Sequence, residues 1–285
     1  MDIGFIGAGK VCHALSFYFN KAHCIKGLYS KNFIDSQLLA EKIKVKAYDN
    51  LKEVILCSEL IFISTNDDQI KKVAEAIAEL NLDISSKSFA HLSGSLDSKE
   101  LQVLYEKGAK VFSFHPLQSF SDSQIAIQQL PHTVFTIEGQ GNYELIVKNL
   151  LKDYTNEYIK ISTDNKALYH IAAVILSNYL VTLYGLSEEI LTKIGMSQKQ
   201  AKGLLTSLLD STVSNIKDKG FKALTGPLER GDLITIQHHL KNLKNDTQTR
   251  KVYKSLALET LILLKKNGRE VSDDLLKIFI EESLI

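Results

Sequence analysis

The sequence predicts an α/β fold: a doubly wound, mostly parallel sheet in the N-terminal part, followed by an all-α C-terminal domain. Three observations carry that prediction. From Met1 to about Ile161, short apolar runs alternate with helical patterns, the rhythm of strands joined by crossover helices. The chain opens with Ile3-Gly4-Phe5-Ile6-Gly7-Ala8-Gly9-Lys10-Val11-Cys12, which reads as strand, glycine turn and helix start in that order. From Asp164 to Ile285 no convincing strand remains, and long amphipathic segments take over. The expected domains are residues 1–161 and 162–285, in keeping with a 285-residue chain that is long for one domain.

Taken in order, the expected strands are Ile3–Ile6, Ile25–Tyr29, Leu60–Ser64, Ser88–Leu92, Lys110–Phe114, Thr133–Ile137 and Tyr158–Ile161, with a short one at Val45–Tyr48. Helical patterns lie between them at Lys10–Asn20, Asp35–Lys42, Asp68–Leu80, Ser98–Lys107 and Asn142–Leu151. The second domain reads as helices at Asn165–Ile194, Ser197–Lys219, Leu233–Leu243, Thr247–Asn267 and Ser272–Glu282. Gly195, Gly220 and Gly268 stand where helices stop, and Ser197 and Ser272 where they start. The longest helix is apolar on most faces and is expected to be the buried spine of its domain.

Composition excludes several classes. Hydrophobic content of 45% and charged content of 24% are those of an ordinary globular protein. A net charge of +1 offers no electrostatic reason for a nucleic-acid or membrane-surface partner. No apolar run approaches the roughly 18–20 residues of a spanning helix, and the first residues lack the basic and apolar regions of a secretory leader. Cys12, Cys24 and Cys57 are odd in number and irregularly spaced, which points away from disulfides and zinc. His238 and His239 lack the further ligands of a metal site. The expected setting is a reducing cytoplasm.

Gly7-x-Gly9 after a strand and before a helix is the context of a dinucleotide-binding, Rossmann-type fingerprint. Gly7 permits the tight turn, Gly9 lets backbone approach a pyrophosphate, and the helix N-terminus supplies N–H groups. Ala8, Lys10 and Val11 complete the turn. Cys12 replaces the third glycine, a packing position that a small thiol can fill. About 20 residues on, where NAD sites place an acid, the chain reads Gly27-Leu28-Tyr29-Ser30-Lys31-Asn32. Ser30 and Lys31 suit the 2′-phosphate of NADP; the plainer alternative is a solvated turn. The strand ending in Ser64-Thr65-Asn66-Asp67-Asp68 puts Thr65 and Asn66 at the ligand edge, with Asp67 or Asp68 as a helix cap.

Two further strand ends are polar: His91-Leu92-Ser93-Gly94-Ser95 and His115-Pro116-Leu117-Gln118-Ser119-Phe120. Both belong on the edge that carries the glycine turn. The proline forces His115 extended, and an imidazole there can exchange a proton with a substrate hydroxyl; the alternative is a loop buttress. Ser93 or Ser95 could hydrogen-bond the same substrate oxygen as a catalytic helper, and Ser93 and Gly94 lie beside the nicotinamide end of a cofactor. His91 reads as structural, its ring bonded to a nearby carbonyl. In the long helix His170, Ser177 and Asn178 interrupt the apolar surface. A buried Asn178 needs a partner, which is either substrate or another helix. Thr225-Gly226-Pro227 with Arg230 and Asp232 forms a loop in which Thr225 and Arg230 could hold substrate, Arg230 gripping a carboxylate, or in which Asp232 merely caps a helix.

These segments together resemble a family of Rossmann-like proteins with a DUF2520 C-terminal domain, whose members are described as NADP oxidoreductases of unassigned substrate. The resemblance rests on Gly7-Ala8-Gly9-Lys10-Val11, His91-x-Ser93-Gly94, His115-Pro116-Leu117-Gln118-Ser119-Phe120 and Leu224-Thr225-Gly226-Pro227-x-x-Arg230-Gly231-Asp232. More distantly the layout is similar to pyrroline-5-carboxylate reductase, to the helical domain of 6-phosphogluconate dehydrogenase, and to prephenate dehydrogenase, whose His-Pro histidine corresponds to His115. The β-hydroxyacid dehydrogenases use a helix lysine four residues before an asparagine; counting back from Asn178 gives Val174, so that chemistry does not transfer. The residues and the resemblance together lead to the expectation of an NADP-dependent oxidoreductase acting on a small carbonyl, hydroxyl or imine compound bound between the domains, with His115 as acid–base helped by Ser93 and Asn178, and with substrate contacts from His170. The alternative is a non-catalytic NADP-binding sensor or regulatory protein. A homodimer through the helical domain is expected.

Overall fold

The computed structural model describes residues 1–280. Its described residues form one eight-stranded sheet and a series of helices. The first part runs β1 (Asp2–Ile6), α1 (Lys10–Phe19), β2 (Cys24–Tyr29), α2 (Phe33–Ile43), β3 (Ala47–Tyr48), α3 (Leu51–Leu56) and β4 (Leu60–Ile63). Then come α4 (Asp67–Glu79), β5 (Ser88–His91), α5 (Gln102–Tyr105), β6 (Lys110–Pro116), α6 (Ser123–Gln129), β7 (Phe135–Gln140), α7 (Tyr143–Leu151) and β8 (Tyr158–Lys160). The strand order is β3-β2-β1-β4-β5-β6-β7-β8. Every pairing is parallel except β6 with β7.

The strands are apolar on both sides because both faces of the sheet are covered. Phe5, Phe62, Phe114 and Phe135 lie in one buried cluster and Ile6, Ile61, Ile63 and Phe89 in the other. Period 2 distributes Phe5 and Ile6, or Phe62 and Ile63, to opposite faces. α3 and α6 are absent from the sequence expectation. α6 is announced by Asp122, whose carboxylate accepts the Gln124 and Ile125 N–H groups at 2.8 and 3.1 Å, a side-chain cap on a helix of seven residues.

The helical part comprises α8 (Lys166–Leu176), α9 (Asn178–Lys193), α10 (Gln198–Lys219), α11 (Pro227–Arg230), α12 (Leu233–Asn242), α13 (Thr247–Lys266) and α14 (Asp273–Ile280). The last two residues of the expected C-terminal helix, 281 and 282, lie outside the described residues. Ser197 and Gln200 form a reciprocal capping box at the start of α10. Gly195, Gly220 and Gly268 all follow helices with positive φ. The expected single helix over Asn165–Ile194 is in fact two, broken at Ser177. Nor is it a buried spine: α8 buries only Lys166, and α9 buries nothing. An apolar helix face reads the same in sequence whether it is covered by its own chain or by nothing.

Residues 163–193 are also long and apolar enough, by length and composition, to cross a membrane, with a mean hydropathy of 1.4 in the best window and none of it buried. The expectation, drawn from apolar runs, does not pick out this window. Scattered uncharged polar residues such as Ser177 and Asn178 shorten a run without lowering the average much.

The chain divides into two compact units, Met1–Tyr179 and Leu180–Ile285. α8, grouped by sequence with the helical domain from residue 162, therefore stands in the first unit. The second unit has its own core, in which Ile236 of α12, Leu261 and Leu264 of α13, and Leu275 and Phe279 of α14 are buried together.

Candidate active site

The strand order reverses between β1 and β4, and doubly wound sheets hold ligands in the crevice beyond the carboxyl ends at that point. β1 runs out into Gly7, whose φ is +113°. A Cβ there would stand 2.7 Å from the Ser64 carbonyl oxygen, so both the backbone angle and the close approach require glycine. The Gly7 N–H donates to the Tyr29 carbonyl at 2.7 Å, tying the turn to the end of β2. Gly9 is the N-cap of α1, and no atom lies within 4 Å of where its Cβ would be. Open space thus sits at the start of a ten-residue helix whose first N–H groups have no helical acceptor. Ala8 and Val11 pack against the core. Cys12 is fully buried, and burial pushes its thiol up to about 12, so it fills space as an unreactive group. The Lys10 ammonium donates to the Ser121 carbonyl at 2.6 Å.

Across the crevice β4 ends in Ser64-Thr65-Asn66. The Thr65 hydroxyl oxygen is buried and has no hydrogen-bond partner, a vacancy that folded proteins seldom tolerate. Asn66 is the N-cap of α4 but caps with no side-chain bond. Neither following acid caps either, a correction to the expectation for Asp68. Asp68 accepts from the Gln69 amide, while Asp67 accepts the hydroxyls of Ser93 and Ser95, each at 2.8 Å. At the end of β2, Ser30 is half-buried and Lys31 exposed, and the first acid beyond them is Asp35 in the opening turn of α2. The open cradle at Gly9, the helix N-terminus and the unsatisfied Thr65 hydroxyl fit a dinucleotide.

β5 and β6 bring the second group of residues to the same sheet edge. His91 is buried, its Nε2 3.0 Å from the Asp97 carbonyl and its Nδ1 accepting the Ser93 N–H at 3.3 Å. It is a structural histidine, held neutral by burial and by Lys166 down to about 4. The Ser93 hydroxyl is committed within its loop: it donates to Asp67 and accepts the Leu96 N–H at 3.1 Å. Ser93 therefore shapes the loop that presents Gly94. A Cβ on Gly94 would lie 2.8 Å from both His115 Nε2 and His170 Nδ1, so only glycine lets these two imidazoles converge. Their ring centroids are 6.4 Å apart and nearly perpendicular. His115 Nδ1 is 2.7 Å from the Tyr169 hydroxyl, and His170 Nδ1 is buried without a partner. Burial, then the Lys166 ammonium and His170, push His115 down to about 3, so at neutral pH its ring is uncharged.

A cavity of about 570 Å³ opens beside these groups, lined by His115, Tyr169 and His170 and by Ala173, Ser177 and Asn178. Asn178 is on its wall but exposed, not the buried amide expected. Thr225 and Arg230 belong to the second unit, the first just before α11 and the second its last residue, and both are exposed. Asp232 caps α12 by accepting the Thr235 N–H at 3.1 Å, which is the plainer of its two expected roles.

Four residues of the site escape sequence reasoning. Lys166, the first residue of α8, is 1% exposed and donates to the Ser113 hydroxyl, which in turn donates to the Ser93 carbonyl at 3.3 Å. Burial pulls this lysine down to about 8, against the raising effect of Glu138, Asp97 and Asp67. Glu138, also buried, accepts the Ser98 N–H and hydroxyl, both at 2.7 Å, and the Thr163 hydroxyl at 2.9 Å. Tyr169 and Asp67 complete the set. A cation one turn before His170 in an otherwise apolar helix was the available signal, found by counting back from the histidine instead of from Asn178.

No curated protein matches the chain. Among solved structures, a Thermotoga maritima protein is 27% identical, with a TM-score of 0.72, over 94% of this chain and 100% of that one. A Bacteroides fragilis protein provisionally named an NADP oxidoreductase is 23% identical, with a TM-score of 0.74, over 91% and 97%. A reductive aminase from Aspergillus terreus, in complex with NADPH and ethyl-5-oxohexanoate, is 15% identical, with a TM-score of 0.67, over 99% and 98%. At the last two identities the likeness is one of fold. Residues 1–116 match the Rossmann-like domain and residues 133–260 match the domain of unknown function DUF2520, so the chain joins a Rossmann-like domain to a DUF2520 domain.

Proposed function

We propose that the protein is an NADP-dependent oxidoreductase acting on a small carbonyl, hydroxyl or imine compound. The observation that carries this reading is the neutral His115 imidazole, its Nδ1 occupied by Tyr169 and its Nε2 against Gly94, on the sheet edge that also bears the Gly7–Gly9 cradle. Gly7, Gly9 and the start of α1 would hold the pyrophosphate, Thr65 and Asn66 the adenosine side, and Ser30 with Lys31 the 2′-phosphate. The nicotinamide, when bound, supplies or accepts a hydride. His115 would hold a proton at the substrate's oxygen or nitrogen, and burial that keeps the ring neutral keeps it able to do so at neutral pH. Asp67, through Ser93 and Ser95, would keep Gly94 in place. Ala173 and its neighbours on α8 would pack the substrate's apolar part and exclude water. The NADP oxidoreductase name and the bound NADPH of two fold neighbours agree with this reading.

The test is consumption of NADPH and NADH with a panel of ketones, 2-oxo acids and cyclic imines. Turnover by the native protein that collapses in His115→Ala, with NADPH binding retained, supports the proposal. Turnover unchanged in His115→Ala removes the histidine from the chemistry. Binding of NADPH with no turnover of any compound leaves a dinucleotide sensor as the better description. Lys31→Asp should shift preference toward NADH.

The same reading includes a homodimer. In the second unit Val181 is 71% exposed and Leu208 64%, large apolar side chains of the kind that an interface covers. Light scattering on the eluting protein measures the mass directly.

A further inference from the structure

We propose that Tyr169 is the positioning residue that sets the tautomer of His115, donating its hydroxyl hydrogen to Nδ1 so that Nε2 carries the hydrogen facing the site. The inference rests on the oxidoreductase reading only for its catalytic consequence; the tautomer is a property of the protein alone.

A neutral imidazole carries one N–H, and the two ring nitrogens of His115 have different surroundings. Nδ1 lies 2.7 Å from the Tyr169 hydroxyl, with the rings edge-on at 81° and their centroids 5.7 Å apart. Nε2 faces Gly94, at the place where His170 Nδ1 also arrives. Tyr169 and His170 occupy adjacent positions on α8, one turn after Lys166, which is bonded to Ser113 of β6. That bond anchors the start of the helix to the strand that bears His115, and so fixes the tyrosine against the imidazole. Burial raises the Tyr169 phenol above its usual value, so it is protonated at neutral pH and has a hydrogen to give. A phenol donating to Nδ1 leaves Nε2–H as the donor, the polarity a substrate oxygen needs.

The arrangement also supplies a second proton. When an alkoxide is left on the substrate by carbonyl reduction, its O–H bond forms as the Nε2–H bond of His115 breaks. The Tyr169 O–H bond breaks as Nδ1–H forms, so the imidazole remains neutral throughout and the negative charge ends on the phenolate. After the product leaves, a solvent water molecule gives a proton to Nε2 and departs as hydroxide while Nδ1 gives its own back to the phenolate, restoring the starting tautomer. No imidazolium is needed, which suits a ring beside the Lys166 ammonium.

Long-range proton–nitrogen NMR on the full ¹⁵N-labelled chain reads the tautomer, with His115→Gln identifying the signal. The expected result is His115 hydrogenated on Nε2, with Nδ1 as a hydrogen-bonded acceptor, unchanged between pH 8 and pH 5. Tyr169→Phe, which keeps the ring and its packing, should lose the hydrogen-bonded Nδ1 signal and mix the tautomers. A native protein hydrogenated on Nδ1, or a Tyr169→Phe spectrum identical to the native one, overturns the proposal. With ethyl levulinate and NADPH as probe, Tyr169→Phe should lower kcat about 100-fold while leaving KM within a few-fold; kcat equal to the native value also overturns the second-proton role. If the native protein turns over no ketone, 2-oxo acid or cyclic imine, the oxidoreductase reading fails, and the NMR result still decides the tautomer.

Discussion

The two units of this chain bury their apolar residues to very different extents. In the first, aromatic side chains close the sheet from within: Phe114 and Phe135 stack with centroids 4.4 Å apart, and Phe19 and Phe62 are parallel within 6°. In the second, the core is confined to α12, α13 and α14, while the 22 residues of α10 bury only Ala201. The sheet is completed by its own chain. The long helices leave leucines, isoleucines and valines exposed among the described residues, and the proposed homodimer would cover them. The reactive groups His115, Tyr169, His170 and Lys166 all belong to the self-sufficient unit, where rigid packing can hold them to a fraction of an ångström.

The largest expected effect follows from removing a ring in the closed core. Phe114→Ala should cost about 3–5 kcal/mol of stability, read as a lower denaturant midpoint. A loss below about 1 kcal/mol would mean that the sheet is no better packed than the helices. Acid comes next, and it too should strike the first unit. His91 and His115 are held down to about 4 and about 3, so below their ordinary value near 6.5 the unfolded chain binds protons that the folded one refuses. Stability is therefore full above about pH 6.5 and falls as pH drops toward those values, by about 1.4 kcal/mol per pH unit for each histidine. Urea unfolding at pH 7 and pH 5 checks it, and His115→Gln should roughly halve the slope. The smallest effect on folding is expected at the exposed face. Leu208→Asp should change the stability of the single chain by no more than about 0.5 kcal/mol, yet convert dimer to monomer in light scattering. A monomeric native protein would break the comparison outright.

What was legible in sequence follows the same division. The sheet unit declared itself because strand, turn and helix each carry local signals: apolar runs, Gly7-x-Gly9, polar strand ends. His115 was legible because a histidine before Pro116 sits at such an end. Its partners were not, because Tyr169 lies 54 residues away and reaches it only through the packing of α8. Lys166 was invisible for another reason: the burial of a lysine depends on Ser113 and on the neighbouring acids, and periodicity only says that a charged residue belongs outside. The apolar face of α8 and α9 was legible as apolar but not as exposed, since helical spacing marks a face to be covered without saying by what. The break at Ser177 carries neither glycine nor proline, so no local breaker announced it.

The claim on which the rest depends is that a dinucleotide lies over Gly9, and one titration tests it. Gly9 is an N-cap with φ of −76° and nothing within 4 Å of its missing Cβ, so Gly9→Asp suits the helix start while placing a carboxylate where the pyrophosphate would lie. Fluorescence titration with NADPH should give saturable binding at one site per chain for the native protein. In Gly9→Asp it should be lost, with the melting temperature equal or slightly higher. Binding of NADPH to Gly9→Asp with native affinity, or no saturable binding to the native protein, would contradict the account.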